Sequence, residues 1–360
     1  VLDIFRVPEQ VAVRVRPEAL RATVEAIFLK MGVPEADARI GADVLVAADL
    51  RGVDTHGVSN MLRVYVQGYA TGALNPRPRW RVVRETPSTA NVDGDFGLGV
   101  IVVPQVMEIA IRKAKETGVG MVTVHNGRHL GMAAYHAMLA LPHDMIGICM
   151  TATGPSMLPT FGREPRLGTN PLAIAAPARK EPPFVYDAAM TVVANNKLAL
   201  ARRLGTLIPP GVMADERGEP FREPVPVPDK YYLLPLGSTR ELGSHKGYGL
   251  ACMVEVLAGV LSGAGFGFKL GRGSANHFVA AINIDAFTPV DAFKDEMDEF
   301  LRALRETPPA PGYERVLYPG LPEWEEEQVR RVKGIPLHPE VIRWFRSICG
   351  ELGIPYRLEE

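Results

Sequence analysis

Cysteine is scarce in this 360-residue chain: there are three, Cys149, Cys252 and Cys349, far apart and without a CxxC pair. That excludes a disulfide framework and a zinc knuckle, and leaves the three to read as buried small hydrophobes. An excess of charge of one sign is missing too. Lys and Arg number 40 against 41 Asp and Glu, for a net charge of −1, and no basic block is interleaved with aromatics as a nucleic-acid partner requires. No apolar run reaches the roughly 18 residues of a membrane-spanning helix, and the start, Val1 to Arg6, lacks the apolar core of a signal peptide. A soluble cytoplasmic protein is expected. Phosphate-binding glycine motifs are absent as well. Gly94, Gly97 and Gly99 do not have the GxGxxG spacing, nor do Gly263, Gly265 and Gly267, and there is no Walker loop and no GxSxG elbow. A Rossmann dehydrogenase is therefore disfavoured, and no internal repeat suggests a solenoid.

What is present is a 47% hydrophobic composition, enough for a substantial core and, at this length, two or three domains. Apolar positions at helical spacing run over 17–31, 34–50 and from near Asp54 to about Ala70, punctuated by Pro17, Gly32, Pro34 and Gly52. From Arg81 the texture changes. β-like runs at 81–83, 120–124, 145–150 and 172–175 alternate with helical patterns at 100–117 and 131–141, which predicts a mixed α/β region. A helix is expected over 190–204 with Asn195, Asn196 and Lys197 inside it. A Pro- and Gly-rich insertion at about 209–235, too irregular for a core element, follows. Then come an apolar helix at 247–261, a strand at 280–284, an amphipathic helix at 291–305 and a C-terminal helix from about Pro339 to Cys349 that packs back on the first helices. The expected organisation is a small helical domain over 1–75, completed by about 322–360, and a mixed α/β domain over 76–321.

Four stretches carry titratable or ligand-binding residue types. In Arg51–Arg63, His56 titrates near neutral pH and can exchange a proton with a carbonyl oxygen; Thr55 is placed to share a hydrogen bond with it and Asp54 to orient it. The bland alternative makes Asp54 or Thr55 a helix cap and puts His56 in the first turn. In His125–Gly131, a strand-to-helix turn offers backbone N–H groups to an anion. His125 and His129 have the i,i+4 spacing of metal ligands, but Gly127 breaks a helix there and no Glu is placed as a base. The turn Gly168-Thr169-Asn170-Pro171 and the run Tyr186–Thr191 form a third stretch. In the fourth, Lys246 follows His245 at the opening of a helix, where a cation is unfavourable unless an anion sits there; a solvated lysine is the alternative.

Taken together, Gly52-x-Asp54-Thr55-His56-Gly57, His129-x-Gly131, Leu167-Gly168-Thr169-Asn170-Pro171, Asp187-x-Ala189 and Lys246-Gly247-Tyr248-Gly249 resemble the malate/L-lactate dehydrogenase type 2 family. Its members include malate, lactate, sulfolactate and ureidoglycolate dehydrogenases and cyclic ketimine reductases. Each motif is short; all five in the family's order, over about residues 17 to 335, carry the resemblance. It implies a non-Rossmann α/β domain of α+β type that binds NAD or NADP, joined to the helical domain, and a homodimer with each site near the subunit boundary. It also implies that His56 is the proton donor supported by Thr55, which replaces the family's usual serine. The resemblance gives cofactor contacts to His129, Leu130, Gly131, Thr153, Asp187, Ala188, Ala189, His245 and Lys246, with Gly320 in the Pro319–Glu323 segment, and puts Thr169 at the substrate.

One departure bears on the substrate. Four residues after the catalytic histidine, where many members carry an arginine that grips the substrate carboxylate, this chain has Asn60; Arg63 is the nearby cation. The resulting expectation is an NAD(P)-dependent oxidoreductase acting on a small 2-oxo or 2-hydroxy carboxylate. A cyclic imine reductase is the close alternative. A metal-dependent hydrolase using His125, His129 and His136, and a silent nucleotide-binding member, are the rivals from other classes.

Overall fold

The computed structural model describes residues 5–270 and 273–359. Residues 1–4 and 360 of the expected helical domain, and 271–272 of the expected α/β domain, lie outside the described residues. In chain order the first elements are β1 (Val13–Val15), α1 (Pro17–Lys30), α2 (Glu35–Leu50), α3 (Val58–Ala70), β2 (Arg81–Glu85), β3 (Thr89–Asp93), α4 (Gly99–Thr117), β4 (Val119–Gly127) and α5 (Ala133–Met138). The middle of the chain forms β5 (Met145–Thr153), β6 (Leu172–Ala176), β7 (Phe184–Ala188), α6 (Asn195–Leu204), β8 (Met213–Ala214), β9 (Tyr232–Leu233) and α7 (Ser244–Val254). The remainder is α8 (Gly267–Leu270), β10 (Ala275–Asn283), α9 (Val290–Arg305), α10 (Leu321–Lys333), β11 (Ile335–Leu337) and α11 (Pro339–Leu352).

The first three helices share one core with α11, built from Leu20, Phe28, Leu45, Leu62, Tyr65 and Phe345. The strand pair β1/β11 clips the C-terminal segment to the chain start, so the expected return of the last helix is found. A seven-stranded mixed sheet in the order β2-β3-β4-β10-β5-β6-β7 forms the centre. β3 and β4 run parallel and the other neighbours antiparallel. Helices α4 and α5 lie tight against it because Gly120 and Gly147 have no side chain: a Cβ there would stand 2.0 Å from Ala110 O and 1.9 Å from Ala137 O. The apolar helix α7 continues as a π-helical stretch, Glu255–Val260, beside β5 and β10. Among the described residues, no helix is long and apolar enough to cross a membrane.

Several expectations are corrected. Helix α3 starts at Val58 rather than near Asp54, because its first amide is capped from another helix: Asp49 Oδ2 on α2 accepts from Val58 N at 2.9 Å. Helix α6 starts at Asn195, not at 190, because the preceding backbone is bonded to neighbouring segments, with Met190 N donating to Thr169 O and Val192 N to Leu234 O. The strand expected at 280–284 is the end of β10, the sheet's third internal strand, which begins at Ala275 and stops at Asn283, with Ile284 opening a 3-10 turn. The 131–141 helix shrinks to α5 followed by a 3-10 turn at Leu141–His143, where Pro142 lacks a donor. The 209–235 segment is not merely a surface excursion. It pairs β8 with β9 and contributes Val212, Met213 and Leu233 to a buried cluster with Leu198 and Ala201. Cys149 and Cys349 are buried, whereas Cys252 is half-buried.

Candidate active site

The segment between α2 and α3 is fixed from three sides. Arg330 of α10, 3% exposed, donates to both carboxylate oxygens of Asp54 at 2.5 and 3.2 Å and to Asp49 O at 2.6 Å. Arg51 pairs with Glu327 at 3.1 Å. Asn196, in the first turn of α6, donates to Thr55 O at 2.8 Å. Gly57 lets Asp49 reach the helix start, since a Cβ there would lie 1.9 Å from Asp49 Oδ1. His56 is thus held on a pinned turn ahead of α3, outside the helix. Thr55 Oγ1 lies 2.8 Å from His56 Nδ1, the contact expected of the pair. Asp54 does not orient His56: its carboxylate is taken by Arg330, so its place is that of an anchor for the turn.

His56 stands where two cavities meet. One, of about 790 Å³, is lined by His129 and Thr153 among others; the second, of about 540 Å³, by Gly131, Asp187, Ala188, Ala189, Lys197 and Gly320. His56, Thr169 and Ala194 line both. The rings of His56 and His129 stack with centroids 5.6 Å apart and planes 9° from parallel. His129 Nδ1 accepts from Gly131 N at 3.2 Å and lies 2.7 Å from Tyr65 Oη. An amide only donates, so the ring proton of neutral His129 is on Nε2. Burial pushes His56 down to about 4, with the charge of Lys197 adding to it, and pushes His129 down to about 3. At neutral pH both rings are uncharged, which is why they can stack without repulsion.

The walls are set by buried polar bonds. Asn170, fully buried with φ of 39°, accepts from Thr153 N at 3.0 Å through Oδ1. Its amide donates to Glu255 Oε2 at 2.8 Å and Ala251 O at 3.1 Å, which ties the Thr169 turn to α7. Asp187 Oδ2 accepts from Ala134 N at 2.7 Å. Its depth in the cleft pushes its carboxyl up to about 6. The side chain opens onto the cavity.

Other expected site residues lie elsewhere. Asn60 donates to Asn196 O at 3.0 Å and lines neither cavity. Arg63 pairs with Glu340 at 2.6 Å and covers the Trp344 ring; one helical turn past Asn60 it faces α11 and lines neither cavity. His245 and Lys246 are exposed at the start of α7 and line neither cavity of this chain. Leu130 is buried, and its carbonyl holds His136 Nε2 at 2.8 Å. His125 belongs to β4 and contacts Asn91 at 3.0 Å. The three histidines of the hydrolase alternative are therefore differently engaged, and among the described residues no three His, Cys, Asp or Glu side chains group as metal ligands. Sequence reasoning missed Lys197, Tyr65, Asn196 and Arg330. For Lys197 a signal existed: Asn195-Asn196 are residue types that favour helix starts, which would have put the lysine in a first turn.

A histidine between two ligand-sized cavities is the layout of a site that brings a small ligand against a second, larger one. The chain belongs to the malate/L-lactate dehydrogenase family, whose sequence profile matches residues 15–346. It is 41% identical to a malate dehydrogenase of Pyrococcus abyssi, covering 95% of this chain and 96% of that protein. It is 38% identical to an L-sulfolactate dehydrogenase of Methanocaldococcus jannaschii, covering 94% and 97%. Among solved structures, the malate dehydrogenase of Pyrococcus horikoshii OT3 superposes with a TM-score of 0.88 at 37% identity, over 97% of this chain and 98% of that one.

Proposed function

We propose that the chain is a 2-hydroxy-acid dehydrogenase that transfers a hydride between nicotinamide, as NAD or NADP, and C2 of a small 2-oxo or 2-hydroxy carboxylate. Family membership supports the class, and one observation carries the mechanism: His56, its Nδ1 at Thr55 and its ring on the wall shared by both cavities. The residues fit a dinucleotide. Two adjoining cavities of about 540 and 790 Å³ have room for a cofactor beside a small acid. Gly131 and Gly320 let the second one's wall pack closely, since a Cβ would lie 3.0 Å from Val100 and 2.8 Å from Val185 N, respectively, and Asp187 offers a carboxylate to a ribose or amide. Asp187, Ala188, Ala189, Gly131 and Gly320 would hold the cofactor on one side, and His129 and Thr153 on the other; Thr169 would border the substrate. When bound, the nicotinamide supplies or takes up the hydride. The chain's own part is the proton. His56 Nε2, neutral at pH 7, accepts it from the C2 hydroxyl during oxidation and returns it to that oxygen during reduction, while Thr55 keeps the ring in plane.

In this reading residues 1–75, with about 322–360, form the helical domain that carries His56. Residues 76–321 form a non-Rossmann cofactor domain, whose sheet has a single parallel pair, β3/β4, among the described strands. The chain works as a homodimer. Leu250, Met253, Val256, Val260 and Leu261 are 36 to 58% exposed along α7 and its continuation, an apolar stripe suited to a second copy. Sedimentation at micromolar protein gives twice the chain mass; the mass of one chain removes this part of the reading.

Near-ultraviolet absorbance of NADH and NADPH, mixed in turn with the protein and oxaloacetate, pyruvate, other 2-oxo acids and cyclic imines, tests the function. Consumption with a 2-oxo acid is expected, and the pair consumed names the cofactor and the acid. Consumption with a cyclic imine alone moves the protein to imine reduction. Absence of both turnover and cofactor binding sinks the reading.

A further inference from the structure

Lys197 stands in the first turn of α6, half-buried, and lines the same cavity as His56. Among the described residues, no carboxylate lies within ion-pair distance of it; its ammonium is 5.6 Å from the centre of the Phe5 ring. The other cations lining the cavities are committed. Arg51 pairs with Glu327, Lys230 with Glu216, and Arg6 with Glu326 at 3.6 Å. The two residues expected to recognise substrate, Asn60 and Arg63, are tied to Asn196 and Glu340. Glu323 lines the same cavity and its charge acts on Lys197, but it lies beyond ion-pair distance, so a bound anion still recovers part of the free energy that burying the ammonium costs.

We propose that Lys197 is the group that grips the carboxylate of the substrate, in place of the arginine that Asn60 replaces. The inference rests on the dehydrogenase reading above and deepens it. The carboxylate of a 2-oxo acid is one bond from C2, and C2 carries the oxygen that His56 serves, so its anion has to lie close to the His56 ring. Lys197 meets that condition, since both side chains line the same cavity of about 540 Å³, and its charge is felt at His56. A cofactor phosphate has no such tie to the histidine. The lysine therefore has two effects: it orients the acid, and in the free enzyme its charge adds to the burial that keeps His56 a neutral base. The titratable and charged groups around His56 are Lys197 on α6 and His129 on the turn after β4, with Asp54 held away by Arg330.

The test compares Lys197→Met and Lys197→Arg with the wild-type enzyme, using the best acid and cofactor found for it. For Lys197→Met the KM of the 2-oxo acid rises about ten- to a hundredfold, the loss of one charge-assisted hydrogen bond. The dissociation constant of the reduced cofactor, read by its fluorescence, stays within about threefold, and oxamate no longer binds to the binary complex. The acid limb of kcat/KM for oxidation moves to higher pH. Lys197→Arg, which keeps the charge, recovers most of the affinity for acid. A weakened cofactor with unchanged KM and oxamate binding assigns Lys197 to the cofactor and overturns the inference, as does a KM unchanged in both variants. Absence of turnover in the wild-type enzyme would instead be the failure of the dehydrogenase reading.

Discussion

Replacing His56 with alanine lowers turnover by about 10²–10⁴ while the reduced cofactor still binds. The size follows from what the ring does in this structure: it is the titratable group on the wall common to both cavities, and Thr55 fixes its orientation. Binding persists because the groups assigned to the cofactor, from Asp187 to Gly320, are set by β7 and α10, not by the imidazole. The pH dependence has a definite sign. An ordinary histidine is half-protonated near 6.5, whereas burial and the Lys197 charge bring His56 to about 4. As pH falls past 6.5, kcat/KM for hydroxy-acid oxidation therefore stays level, and it drops only as pH approaches 4, where the base is lost. Reduction needs the protonated ring and slows as pH rises. Equal loss of cofactor binding and turnover in His56→Ala would mark the residue as structural.

Arg330→Met is the second large effect. The guanidinium is almost fully buried and holds Asp54, Glu326 and the Asp49 carbonyl at 2.5 to 2.6 Å. Removing it leaves the part-buried Asp54 carboxylate and the buried Asp49 carbonyl without their partner, which costs about 3–5 kcal/mol of unfolding free energy. The turn that carries His56 loses one of its three anchors, so kcat falls along with stability. Urea unfolding of Arg330→Met, Asp54→Asn and the double variant separates the contributions. A double variant more stable than Arg330→Met alone shows that the stranded carboxylate is the main penalty. A single variant within 1 kcal/mol of wild type by the same unfolding measurement would show the network to be dispensable.

Elements that depend on local pattern are legible from local signals. Helix α9 was expected over 291–305 and runs Val290–Arg305, because its apolar spacing and flanking prolines are all in one stretch. The return of α11 to the first helices followed from its apolar face, whose Val341, Ile342 and Phe345 are buried in the shared core. What stayed hidden depends on residues far apart in the chain. The start of α3 is set by Asp49 on another helix, and the place of β10 inside the sheet by pairing with β4 and β5. The same division holds for the site. His56 and Thr55 are neighbours, and their contact could be read from adjacency. Asp54 was assigned to His56 on the same ground, yet Arg330, 276 residues away, takes it. Lys197 lines the cavity from the first turn of α6, which begins five residues later than its pattern suggests.

The central claim, hydride transfer at a carbon whose oxygen is served by His56, is tested most directly with reduced cofactor deuterated at C4 and the preferred 2-oxo acid, followed by NMR of the product. The account predicts deuterium at C2 of the 2-hydroxy acid, with the hydroxyl proton drawn from solvent. Solvent hydrogen at C2, with deuterium retained in the cofactor, would contradict it.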